Sequence, residues 1–266
     1  MIRVGLCGFT MSIPEYFETF RVLEVQQTFY EPPQRATMLR WREQAGPGFE
    51  FTLKAWQLIT HRTTSSTYKR LRTPLTKEEL AGAGSFRPTA AVKRGWETTL
   101  ACARILRATS ILFQCLASFR PDSESLASMR TFFGSIERPP GVRLMWEPRG
   151  PAWPEETVRA LCKELGLVHV VDPFVNRTTT PELTYWRLHG LGGDSRRPYT
   201  DEELAKLVTM IDPSARTAYV MFNEMPRIAD SRRFLALLNA RTRDTSNASV
   251  SGSADRGRGR AHPRGA

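Results

Sequence analysis

The sequence predicts an α/β protein, a single-domain TIM-like (β/α)8 barrel, and three observations carry that reading. Eight short apolar runs recur along the chain, most followed by a stretch with helical spacing. A strand buried on both faces reads as a near-continuous apolar run, and strands alternating with helices build a parallel sheet. The length, 266 residues, suits one such barrel, whose typical size is about 250 residues.

The runs are IRVGLC from Ile2, RVLEVQ from Arg21, FEFTLKA from Phe49, SILFQC from Ser110, VRLMWEPR from Val142, LVHVVD from Leu167, TYWRLHG from Thr184 and TAYVMFN from Thr217. Helices are expected near 13–20, 33–45, 88–107, 122–135, 154–165, 200–211 and 228–240. Thr200 and Glu203 form a capping-box pair. Asp122, and Asp230 or Ser231, are candidate N-caps. Pro154 followed by Glu155 and Glu156 suits a first helical turn. Residues 60–87 are polar, basic and rich in Ser, Thr and Gly, so a long loop is expected after the third strand, over the barrel mouth. Residues 1–240 form the barrel domain in this reading. The segment 241–266 holds six Arg, two Asp, one Val and no aromatic. It cannot bury enough apolar surface to offset its ordering entropy and is expected to be a basic, disordered tail.

Composition narrows the function classes. The net charge is +11, which favours anionic partners. No apolar stretch approaches 18 residues, so no membrane span is expected. The chain enters its first strand without a secretory signal pattern. Cys7, Cys102, Cys115 and Cys162 lie far apart without CxxC spacing, which points to buried reduced thiols and a cytoplasmic location.

A parallel barrel gathers its chemistry at the C-terminal strand ends. Those ends carry Glu24, Lys54, Gln114, Glu147, Arg149, Asp172, Arg187, His189 and Asn223. Lys54 has apolar neighbours; it is either a desolvated base or imine-forming amine, or the ion-pair partner of Glu24 or Glu147. Glu147 is a candidate general base, and Arg149 a two-point anion contact. Arg187 and His189 share one strand face, next to glycines that allow close backbone approach to a ligand. Tyr30, Trp56, Tyr185 and Trp186 are candidate stacking rings, and Arg62, Lys69, Arg70 and Arg72 a phosphate-tracking loop.

The motifs occur in a familiar order. Gly5-Leu6-Cys7-Gly8-Phe9, Leu23-Glu24-Val25 with Thr28-Phe29-Tyr30, Phe51-Thr52-Leu53-Lys54 with Thr60-His61, and Trp146-Glu147-Pro148-Arg149 with Trp153 come first. Val171-Asp172, Tyr185-Trp186-Arg187-Leu188-His189-Gly190 and Val220-Met221-Phe222-Asn223 follow. Over roughly residues 2 to 240 the chain resembles the YecE-like family, domain of unknown function 72. The resemblance implies a TIM-like barrel related in shape to metal-dependent endonuclease and sugar-isomerase barrels; it implies a fold more than a reaction. Two departures from the family pattern stand out. Gly-Leu-Cys-Gly replaces Gly-Thr-Ser-Gly, and Phe222-Asn223-Glu224 replaces Phe-Asn-Asn.

The sequence therefore points to a cationic, carboxylate-bearing pocket at the strand ends. The expected function is an enzyme (a hydrolase, isomerase or lyase) acting on a phosphate-containing substrate such as a nucleic acid or sugar phosphate. Arg149, Arg187 and Lys54 would hold the anion, and Glu147, Asp172, His189 or Lys54 would move protons. Glu24, Asn223, His61 and Tyr30 would complete the substrate surface. The alternative is a non-catalytic protein that binds a nucleic acid or an anionic small molecule. No cofactor is fixed by any motif. Two histidines are few for zinc, but a magnesium or manganese ion on Glu24, Glu147, Asp172, His61 or His189 is left open.

Overall fold

The computed structural model describes the backbone of residues 1–254 and the side chains of residues 1–241. Eight parallel strands close into a barrel in sequence order: β1 (Ile2–Cys7), β2 (Val22–Val25), β3 (Glu50–Lys54), β4 (Ser110–Gln114), β5 (Arg143–Glu147), β6 (Val168–Val171), β7 (Leu183–Leu188) and β8 (Thr217–Phe222). The ring closes where β1 pairs with β8, from Ile2 against Ala218 to Leu6 against Phe222. Each strand lies within one of the eight apolar runs or one residue beyond it, because only a run apolar on both sides can separate lumen from helices.

Strand alternation divides the core in two. Leu6, Leu23, Phe51, Leu53, Phe113, Trp146, Trp186 and Val220 pack outward in the layer between barrel and helices. Cys7, Val22, Leu112, Met145, Val170, Tyr185, Tyr219 and Met221 fill the lumen. The N-terminal end of the lumen is closed by Arg3 on Glu50 at 2.6 Å and by the Tyr219 hydroxyl donating to Glu50 at 2.6 Å. The chemistry is thereby confined to the opposite end.

The expected helices are α1 (Ile13–Thr19), α3 (Arg35–Gln44), α6 (Ala90–Leu106), α7 (Ser123–Ser135), α8 (Glu155–Leu165), α9 (Asp201–Met210) and α10 (Arg227–Ala254). Asp122 caps α7 by accepting from Ser125 N at 2.8 Å, and Thr200 and Glu203 form the capping box of α9. Asp230 and Ser231 do not cap α10, which begins at Arg227. Asp230 is instead buried in its first turn and accepts from the Tyr199 N–H at 2.9 Å. The backbone of α10 passes the domain boundary placed at residue 240. The tail expected to be disordered lies outside the described side chains from residue 242, and outside the described backbone from residue 255.

Residues 60–87 are not the plain loop expected. Short helices α2 (Gln27–Tyr30) and α4 (Gln57–Thr60) follow β2 and β3. A 3-10 turn (Ser66–Arg70) and α5 (Lys77–Gly82) then cross the mouth side. Glu31 pins this segment by accepting from Arg72 N, Thr73 N and the Thr73 hydroxyl at 2.9, 3.1 and 2.6 Å. Gly84, Ser85 and Phe86 are all left-handed, and their N–H groups donate to the carbonyls of Leu58, Thr60 and Ile59. That turn ends α4 and holds the segment against the mouth.

Close strand packing at Gly5 gives a test. A Cβ there would lie 2.3 Å from the Val22 carbonyl oxygen and 2.8 Å from Val22 Cγ1. Gly5→Ala is expected to cost about 1–3 kcal/mol, as overpacking does. Gly134→Ala meets nothing within 4 Å inside α7 and is expected to gain about 0.5–1 kcal/mol. Urea unfolding of both variants checks the contrast.

Candidate active site

The centre of the mouth is a buried ion cluster. Arg187, with a side chain 1% exposed, places Nη2 3.0 Å from Glu24 Oε1 and Nη1 2.5 Å from Glu147 Oε2. Nη1 also donates to Gln114 Oε1 at 3.2 Å. One guanidinium thus links the ends of β2, β4, β5 and β7. Glu24 additionally accepts from the Tyr185 hydroxyl at 2.9 Å and from the Gln26 amide. Arg187 was expected to face a ligand. It is instead enclosed, because two carboxylates converge on it in the lumen.

The open part of the site is one residue further out. Arg149 donates through Nε to Glu147 Oε1 at 3.0 Å, and its Nη2 lies 2.9 Å from the same oxygen. Its side chain is 35% exposed. His189 Nε2 lies 2.8 Å from Arg149 Nη2 and 3.1 Å from Glu147 Oε1. His189 Nδ1 lies 2.9 Å from Asn223 Nδ2. Asp172 accepts from the backbone N–H groups of His189 and Phe174, each at 3.0 Å. It therefore fixes the chain around His189 and has little freedom to carry protons itself. Glu147, Arg149, Asp172, Asn176, Arg177 and His189 are among the residues that line a cavity of about 340 Å³.

Electrostatics assign different capacities to these groups. Burial alone would raise the Glu147 pKa, but the Arg187 and Arg149 guanidiniums overcome it and hold the carboxyl well below its ordinary range. A carboxylate so stabilised is a poor base, which removes the proton-moving role expected for Glu147. Burial lowers the His189 pKa, with the hydrogen bond to Glu147 opposing, so its imidazole is neutral at pH 7. Burial raises Asp172.

Lys54 lies 3.5 Å from the Phe29 ring centroid, over the ring face. Among the described residues it enters no ion pair with Glu24 or Glu147, whose oxygens are engaged by Arg187, Arg149 and the Tyr185 hydroxyl. Burial first, then Arg187, lower its pKa to about 7. His61 is buried edge-on to Phe29, with Nδ1 2.7 Å from the Thr60 hydroxyl. Burial and the nearby Lys54 and Arg149 lower its pKa to about 3. Tyr30 sits under Arg70, whose Cζ is 3.6 Å from the ring centroid. The other candidate stacking rings are unavailable to a ligand: Trp56, Tyr185 and Trp186 are buried.

A dication does not fit this donor set. Glu24 and Glu147 already bracket Arg187, which occupies the space between them. Asp172 is engaged by backbone N–H groups. Among the described residues no three His, Cys, Asp or Glu side chains converge on one point. All four cysteines are free and buried, and no helix among the described residues is long and apolar enough to cross a membrane.

Sequence reasoning missed three participants. Gln26 is part of the Glu24 network. Arg177 lines the cavity, and its signal was its place just beyond the C-terminal end of β6. Glu224 is fully buried beside the site, accepting from Asn223 N at 3.0 Å, and burial raises its pKa to about 7.

Residues 9–254 match the model of a family described as protein of unknown function DUF72, and the chain belongs to that family. No curated protein matches it. A DUF72 family protein of Enterococcus faecalis V583 is 20% identical with a TM-score of 0.66, over 90% of this chain and 98% of that one. A DUF72 family protein of Thermotoga maritima MSB8 is likewise 20% identical with a TM-score of 0.66, over 90% and 99%. D-psicose 3-epimerase in the presence of D-fructose is 14% identical with a TM-score of 0.56, over 88% and 97%. At these identities the likeness is one of fold, a TIM barrel.

Two substitutions test the electrostatics. Arg187→Met leaves two carboxylates facing each other in the lumen and is expected to cost about 3–5 kcal/mol in urea unfolding. For Glu224 the folded-state pKa of about 7 lies above the ordinary 4.5. The folded protein therefore binds the proton more tightly. That stability is complete below pH 4.5 and is lost as pH rises through 7. Between pH 4 and 8 the parent should lose about 3 kcal/mol relative to Glu224→Gln, measured as the pH dependence of the two unfolding curves.

Proposed function

We propose that this DUF72 family member is an enzyme acting on a phosphate-containing substrate at the barrel mouth. Arg149 is the anion contact and His189 the group that moves protons. The observation that supports this reading most is the placement of these two side chains. They are the cluster members that reach from the sealed Glu147–Arg187 pair into the cavity, with Arg177 as a second cation on its wall. A guanidinium suits phosphate by its planar donor set. A neutral imidazole accepts a proton at pH 7, and its Nε2 lies between a donor and an acceptor. Lys54, deeper in the mouth, adds an amine that is partly neutral at the same pH.

One observation favours a second reading, non-catalytic binding of a nucleic acid. Arg62, Lys69, Arg70 and Arg72 are exposed on the mouth-side segment and belong to no ion pair among the described residues. Such a row can follow a phosphate backbone.

The readings separate in a panel of sugar phosphates, phosphodiesters and oligonucleotides, with and without divalent metal, followed by calorimetry and turnover. Arg149→Met is expected to weaken binding of the active compound at least about tenfold, the loss of one charged hydrogen bond. His189→Gln should leave affinity within about threefold and lower turnover by roughly 10²–10⁴. Binding without turnover, lost on neutralising residues 62–72 and insensitive to Arg149→Met, would establish the second reading instead.

A further inference from the structure

Lys54 has a chemistry that anion binding does not use. Of the 38 cationic residues in the chain, 32 are arginine and six are lysine: Lys54, Lys69, Lys77, Lys93, Lys163 and Lys206. Five of the lysines lie on helices or mouth-side turns. Lys54 alone ends a barrel strand, with 5% of its surface exposed, at the mouth end of β3. Two arginines already balance the two carboxylates there: Arg187 is paired with Glu24 and Glu147, and Arg149 with Glu147. Among the described residues no carboxylate forms an ion pair with Lys54. What faces the amine is the Phe29 ring, while the nearby Thr28 hydroxyl donates to the Lys54 carbonyl at 2.7 Å. An arginine here would stay charged at any accessible pH, whereas a buried lysine among cations, without a paired counter-ion, can exist in part as the neutral amine.

We infer that Lys54 is an imine-forming amine, and that the substrate of the mouth carries an aldehyde or ketone as well as its anionic group. This rests on the reading of the mouth as the site of an anionic substrate, and it adds the reactive class. The neutral Nζ attacks the carbonyl carbon, forming a C–N bond while the C=O π pair moves to oxygen. Proton transfer from nitrogen to that oxygen gives a neutral carbinolamine. A further proton, taken from solvent, lets the hydroxyl leave as water and yields the protonated imine. Water addition reverses each step, so no oxidant, reductant or metal enters. The iminium withdraws electrons from the adjacent carbon and so acidifies its C–H.

The test uses the full chain and a matched pair of probes, dihydroxyacetone phosphate and dihydroxyacetone, each with sodium cyanoborohydride to reduce any imine to a stable amine. Peptide mapping by mass spectrometry reads the position. The expected result is one adduct per chain at Lys54, formed at least about tenfold faster than at any of the other five lysines and absent in Lys54→Arg. The phosphate-bearing probe should label faster than the uncharged one, and Arg149→Met should abolish that preference. The position is mapped on the parent chain, so the result does not depend on a variant folding. Absence of a Lys54 adduct, or labelling no faster than at Lys69, Lys77, Lys93, Lys163 and Lys206, overturns the imine. Phosphate binding to the parent by calorimetry, lost in Arg149→Met, would then leave the anion site standing. Labelling of Lys54 with no phosphate preference keeps the amine and overturns the anion site.

Discussion

The guanidinium of Arg187 is the constraint on which the rest of the mouth depends. It lies in the lumen with Glu24 on one side and Glu147 on the other, at 3.0 and 2.5 Å. Taking three charges out of water is costly, and the gain from their mutual attraction is large only when the geometry satisfies each of them. Tyr185, two residues earlier on the same strand face, bridges Glu24 and the Thr52 hydroxyl at 2.9 and 2.8 Å and so fixes one flank. Arg149 and His189 fix the other through Glu147. The cluster ties β2, β3, β5 and β7 across the lumen, where apolar packing alone has no direction.

That arrangement also decides what the surrounding groups can do. A carboxylate held between two guanidiniums is spent as a base, and what Glu147 offers His189 is the 3.1 Å contact at Nε2. Asp172 is turned to backbone N–H groups and supports the same histidine from below. The balance of charge leaves Lys54 without a partner, which is why burial shifts it so far. The same guanidinium fills the place a dication would need between Glu24 and Glu147. The chemistry proposed for the mouth therefore rests on nitrogen groups, an imidazole and an amine, rather than on carboxylates.

Most of the architecture was legible because barrel strands advertise themselves: IRVGLC and TAYVMF are unbroken enough to be read residue by residue. So was the gathering of Glu24, Lys54, Glu147, Asp172, Arg187, His189 and Asn223, since parallel strands bring their C-terminal ends to one side whatever their order in sequence. The four-residue helices α2 and α4 were not legible, being shorter than one clear hydrophobic period. Helix α5 was not read either: Thr76 and Glu79 repeat the capping spacing of Thr200 and Glu203, but the polar composition of residues 60–87 masked it. The division of labour between Arg149 and Arg187 had no sequence signal. Both are arginines near strand ends, and only the lumen geometry shows which one the carboxylates enclose.

His189 connects the sealed and the open parts, and its proton is set by competition. Its Nε2 meets Arg149, which can only donate, and Glu147, which can only accept. With the proton on Nδ1, Nε2 accepts from Arg149 and the Asn223 amide must present its oxygen. With the proton on Nε2, the imidazole donates to Glu147, Asn223 donates to Nδ1, and the Arg149 Nη2 contact becomes unfavourable. The assignment of the Asn223 amide follows from the network around it. An anion bound as proposed, drawing Nη2 of Arg149 toward the cavity, would relieve that contact and favour the second tautomer. Under the proposed binding mode, the His189 tautomer would be coupled to occupancy of Arg149, with Glu147, already fixed by Arg187, as the acceptor.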